Sequence, residues 1–89
     1  MSCSRTLEIT NRRGLHARAS AKFVTLAAEL PAKVEVEKDG NKVCGTSIMG
    51  LMMLGAAMGD DVVLHVSGDG ADDSLEQLAR LIEERFGED

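Results

Sequence analysis

Tryptophan and tyrosine are absent from this chain, and Phe23 and Phe86 are its two aromatic residues. A core must therefore be filled by Leu, Val, Ile, Ala and five Met. Cysteine is scarce as well. Cys3 and Cys44 have neither CxxC spacing nor a disulfide-framework pattern, so both are read as reduced thiols of a cytoplasmic protein, Cys3 at a mobile terminus. Two distant histidines and two distant cysteines do not make a zinc site, and no metal or cofactor is expected. Basic charge is in deficit: 10 Lys and Arg against 15 Asp and Glu give a net charge of −5. That argues against a general nucleic-acid binder, which needs a basic surface to displace counterions. Long apolar runs are missing too. "MSCSRTLEIT" lacks the apolar stretch of a signal peptide, and "SIMGLMMLGAAM" is too short to span a bilayer, so no membrane insertion is expected. No GxxxxGK[ST] loop occurs, and "DGADD" lacks the spacing of a calcium loop. The length of 89 residues suits one domain over residues 1–89.

What is present alternates and repeats legibly. In "RTLEIT", Leu7 and Ile9 share one face and Thr6, Glu8 and Thr10 the other, as in a half-buried strand. From Ala17 to about Leu30 the period changes to that of a helix, with Ala19, Phe23, Leu26, Ala27 and Leu30 as its stripe and Pro31 at its exit. "AKVEVEKDGNKV" reads as a hairpin turning at Asp39-Gly40. Thr46 or Ser47 can cap a short helix that Gly55 ends. "DDVVLHVSG" is a strand with Val62, Leu64 and Val66 inward and His65 outward, a solvent-facing histidine. A last helix carries Leu75, Leu78, Ala79, Ile82 and Phe86 on one stripe, with Asp72 and Asp73 at its start and Arg85 near its end. The order β-α-β-β-α-β-α predicts an α+β two-layer sandwich with a mostly antiparallel sheet, one face under helices and one open to water.

Histidine 16 stands where a loop becomes the first helix. The leading backbone N–H groups of a helix lack intrahelical partners and attract anions. An imidazole there could accept a phosphoryl group on nitrogen, and Arg18 could neutralise its oxygens. Gly14 would let the loop approach closely. The same pattern also suits a plain polar loop residue, and spacing alone leaves both readings open. In the second helix, Leu51 and Leu54 suit the core, while Ile48, Met49 and Met52 form a second face. That face is either further core or an exposed docking patch, for which methionine is well suited. Ser47 is explained by capping alone, and a regulatory role is compatible with that.

Residues 14–20 ("GLHARAS") and 45–56 ("GTSIMGLMMLGA") together resemble the HPr family, the histidine-containing phosphocarriers of the phosphoenolpyruvate-dependent phosphotransferase system. The resemblance extends over essentially the whole chain. It implies an open-faced β-sandwich, four antiparallel strands covered on one face by three helices. It further implies that His16 takes a phosphoryl group through Nδ1 from enzyme I and passes it to a histidine of an enzyme IIA domain. Arg18 would assist, and Ser47 would be the serine that an HPr kinase/phosphorylase modifies. Ala17, Ile48, Met49 and Met52 would contact partners, and the protein would act as a monomer without independent turnover. The chain departs from many members at Ala19, where proline is common, and at Arg12 and Arg13, where small or polar residues are common. The basic loop and the Met-rich helix point toward a nitrogen-related regulatory branch. The competing class is a binding module that acts mainly by docking to a kinase or transcription factor.

Overall fold

Alternating residues dictate a sheet with two unlike faces, and the computed structural model, which describes residues 2–88, has one. The strands are β1 (Ser2–Glu8), β2 (Lys33–Lys38), β3 (Asn41–Cys44) and β4 (Asp61–Ser67). The helices are α1 (Ala17–Glu29), α2 (Ile48–Met53) and α3 (Ala71–Glu83). The sheet order is β1-β4-β2-β3, and every neighbouring pair is antiparallel. The expected βαββαβα order and open-faced sandwich are therefore observed.

Leu7, Val34, Val36, Val62, Leu64 and Val66 send their side chains from the sheet into the core. There they meet Ala19, Phe23 and Ala27 of α1, Leu51 of α2 and Leu75, Leu78 and Ile82 of α3. The opposite face carries Glu35, Glu37 and His65. His65 points outward as expected, yet it is half-buried and pairs with Glu37, Nε2 to Oε1 at 2.7 Å. The β2–β3 turn has positive φ at Asp39 (52°) and Gly40 (84°), the two left-handed residues that a tight hairpin twist requires.

Three expectations are corrected. Cys3 does not lie at a loose terminus: β1 begins at Ser2, and Cys3 is paired opposite Val66 of β4. Ile9, by contrast, lies just past β1, although it is fully buried. The last helix does not run to Phe86. It ends at Glu83, and Arg85, Phe86 and Gly87 follow at φ of 59°, 55° and 74°. Left-handed backbone costs a non-glycine residue about 1–2 kcal/mol. Two features offset it. The Phe86 ring is 1% exposed, a burial worth about 1.5–3 kcal/mol. The Phe86 carbonyl also accepts a 2.7 Å hydrogen bond from Lys22 Nζ on α1. This left-handed turn sends the chain back toward the start of α1.

Candidate functional site

The loop ahead of α1 is held from both sides. Gly14 N–H donates to the Asn11 carbonyl (3.2 Å), and Asn11 Nδ2 donates to the Gly14 carbonyl (2.8 Å). Leu15 then donates its N–H to Ala56 O beyond α2 (2.9 Å) and buries its side chain. Ser20 Oγ, inside α1, donates to the Leu15 carbonyl. These ties fix the residue that follows.

That residue, His16, is the N-cap of α1, in extended conformation. Its carbonyl accepts the first helical bond, from Ser20 N–H at 2.9 Å. Its Nδ1 accepts from Arg18 N–H at 3.3 Å. Its Nε2 lies 2.7 Å from Glu88 Oε2. A carboxylate accepts, so Nε2 carries the hydrogen and Nδ1 keeps its lone pair. The first turn of α1 has no acidic residue, and its positive end is uncompensated from within the helix. A nucleophilic nitrogen thus faces a set of N–H groups suited to an anion.

Next to it, joined through Glu88, lies a cleft of about 330 Å³ lined by Arg12, Arg13, Arg18, Lys22, Gly87 and Glu88. Burial raises the Glu88 carboxyl, but the hydrogen bonds from Asn11 and then His16, with the nearby charge of Lys22, outweigh it and hold the group below the usual carboxylate range. The carboxylate therefore stays charged at neutral pH, and its contact with His16 is lost only as acid protonates it through that lowered value.

The structure brings His16, Arg18 and the two loop arginines together. It places Lys22, one of the early basic residues, with them, and adds Asn11 and Glu88, which sequence reasoning missed. Glu88 reaches His16 across 72 residues, and no local pattern announces such a contact.

On α2, Ser47 is the N-cap, its Oγ accepting from Gly50 N–H at 2.9 Å. Leu51 is buried, whereas Ile48, Met49 and Met52 are exposed by 42%, 72% and 45%, which selects the exposed-patch reading over further core. Met53 and Met58 enlarge the patch beyond the three expected residues. Because α2 packs against α1 and Ala56 holds Leu15, this apolar surface adjoins the His16 loop. Ala17, the first residue of α1, is exposed as well. Among the described residues no helix is long and apolar enough to cross a membrane, and no group of three or more His, Cys, Asp or Glu could hold a metal ion.

A family model described as the PTS HPr component phosphorylation site matches residues 3–84. The phosphocarrier protein HPr of Cupriavidus necator is 43% identical over 84 residues, 94% of each chain. That of Pseudomonas aeruginosa is 47% identical over 85 residues, 92% of this chain and 94% of its own. The crystal structure of HPr-C-His from Thermoanaerobacter tengcongensis superposes with a TM-score of 0.93 at 44% identity, covering 98% of both chains. A phosphocarrier protein NPr, from Shewanella violacea, is 36% identical over 84 residues, 94% of this chain and 92% of its own. The higher identity to HPr does not favour the expected nitrogen-related branch.

Proposed function

This chain belongs to the HPr family, the phosphocarriers of the phosphotransferase system, and from that premise we propose that it carries its phosphoryl group on Nδ1 of His16. One observation carries the reading: with Glu88 on Nε2, the lone pair sits on Nδ1 at the N-terminus of α1, in a long 3.3 Å hydrogen bond with Arg18 N–H. In the transfer, the lone pair forms the N–P bond as the donor's bond to phosphorus breaks, and the donor keeps that electron pair. The helix N–H groups and the Arg18 guanidinium stabilise the oxygens on phosphorus. The bond formed is labile, so the group moves on to an acceptor.

Enzyme I is the donor and a histidine of an enzyme IIA domain the acceptor. Ala17, Ile48, Met49 and Met52 form the contact surface, joined by Met53. The exposed apolar side chains beside a basic cleft support this assignment, since a flexible methionine surface adapts to more than one partner. The whole of residues 1–89 acts as one domain and as a monomer, which leaves the patch free, and it works in the cytoplasm with Cys3 and Cys44 as free thiols. The test is incubation with phosphoenolpyruvate, Mg²⁺ and the cognate enzyme I. One acid-labile phosphoryl group is expected, located on His16 by mass spectrometry. An unlabelled protein, or a label on another residue, overturns the assignment.

Ser47 is the regulatory site in this reading and the target of an HPr kinase/phosphorylase. A phosphate at a helix N-terminus is tolerated by the helix and adds charge at the rim of the docking patch. Aspartate is an equally good N-cap, so Ser47→Asp is expected to fold normally. A rim charge acts on association, so phosphorylation by enzyme I slows about tenfold, through KM more than kcat. Unchanged kinetics in the folded variant would remove the regulatory role.

A further inference from the structure

Asparagine 11 is fully buried, in a loop whose neighbours Arg12 and Arg13 are exposed. Its Nδ2 has two hydrogens and uses both, one on the Gly14 carbonyl (2.8 Å) and one on Glu88 Oε1 (3.1 Å). Its Oδ1 meets no hydrogen-bond partner among the described residues. Turning the amide over would set Oδ1 against two acceptors, so the orientation is determined by its partners. A buried acceptor without a donor is destabilising, and an apolar side chain would fill the same space without that cost. Packing therefore does not explain an amide at this position. What the amide does, and an apolar group could not, is donate to two acceptors at once, the Gly14 carbonyl that shapes the loop and the Glu88 carboxylate that meets His16.

We infer that Asn11 is a positioning residue for the histidine, acting through Glu88: it holds Oε1 so that Oε2 stays on His16 Nε2–H. The inference rests on the reading of His16 as phosphoryl acceptor and deepens it. A glutamate side chain has many conformations to lose, and one contact to a half-buried imidazole would not hold it. Three ties do. The Asn11 amide takes one oxygen, the imidazole takes the other, and Lys22 clamps the Phe86 carbonyl two residues before. With Nε2–H engaged, the lone pair stays on Nδ1. When Nδ1 bonds phosphorus and the donor leaves with the former bonding pair, the ring gains one positive charge. The Glu88 carboxylate on the Nε2 hydrogen offsets that charge. The logic is that of a carboxylate orienting a catalytic imidazole, with an amide orienting the carboxylate in turn.

The test separates this role from loop support. Protein labelled with 15N at histidine is expected to show a hydrogen-bonded Nε2–H proton for His16, shielded from solvent exchange, and to lose it in both Glu88→Ala and Asn11→Ala. In phosphoryl acceptance from enzyme I, each variant is expected to lose about tenfold in kcat with KM little changed. The double variant should be no slower than Glu88→Ala alone. Persistence of the protected proton in either variant overturns the inference. So does an Asn11→Ala effect that is as large in the Glu88→Ala background as in the parent, since support of the loop would act without Glu88. Should Asn11→Ala fail to fold, Asn11→Ser replaces it, and Glu88→Ala alone still decides whether the carboxylate holds the ring. The proton is read on unphosphorylated protein, so it answers independently of whether enzyme I labels the parent.

Discussion

Protein carrying His16→Ala takes up no phosphoryl group from enzyme I and remains folded. The two halves of that result have separate causes. The first follows from chemistry: alanine has no lone pair at the start of α1, and neither Arg18 nor the helix N–H groups can substitute, because they are donors without a nucleophilic pair. The second follows from where the ring sits. His16 is half-buried at the rim of the fold rather than in its core, and its structural part is to cap α1 through Nδ1. Loss of a capping side chain costs about 1 kcal/mol, which lowers the melting temperature of a domain this size by about 4–8 °C. His16→Asn sharpens the test. Asparagine is among the strongest N-caps, so this variant should melt close to the parent while still taking no label. Retention of an acid-labile phosphoryl group by the folded asparagine variant would show that the acceptor lies elsewhere.

The same distinction between local and distant causes explains what the sequence made legible. Val34 and Val36 alternate with Glu35 and Glu37, and Val62, Leu64 and Val66 with Val63 and His65. Period-two alternation states which face is buried, and the sheet follows. The position of His16 at the head of α1 was readable because a helix start is a local matter, but spacing left its chemistry open, and the role of His16 and Arg18 came from the family resemblance. Asn11 and Glu88 were not readable. Their contact joins positions 77 residues apart, and a polar residue in a loop or an acidic residue in a charged tail has no period to betray it. Phe86 misled for a related reason. It follows Ile82 by four, so helical spacing accounts for its burial, yet a left-handed turn buries the same ring by a different path. Periodicity reports that a side chain is inside, not how the backbone brought it there. Cys3 was obscured by its neighbours. Ser2, Ser4 and Arg5 carry no apolar signal, and the strand exists there because β4 offers seven residues to pair with.

Gly14→Ala should lower stability and phosphoryl transfer together, and a matched control can show why. Gly14 has φ of +63°, and a Cβ built there would lie 2.3 Å from the Ala56 carbonyl oxygen and 2.9 Å from Ala57 Cα. Both are backbone atoms, so no side chain can turn aside. The oxygen is also the one that accepts from Leu15 N–H, and moving it away releases the tie that fixes the residue before His16. Left-handed strain of about 1–2 kcal/mol and overpacking of about 1–3 kcal/mol together predict a loss of about 2–5 kcal/mol. At about 4–8 °C per kcal/mol the melting temperature falls by at least about 8 °C. Gly55 supplies the comparison: its φ is +65°, nearly the same, and a Cβ there meets nothing within 4 Å. Gly55→Ala therefore carries the conformational cost without the clash. Thermal melts of the two variants should differ by the overpacking alone, and equal losses would mean that close approach of the loop to Ala56 contributes nothing. Transfer from enzyme I, measured well below the melting point of each, should fall only in Gly14→Ala. A shift of about 1 Å in a reacting nitrogen is enough to cost about 100-fold in rate.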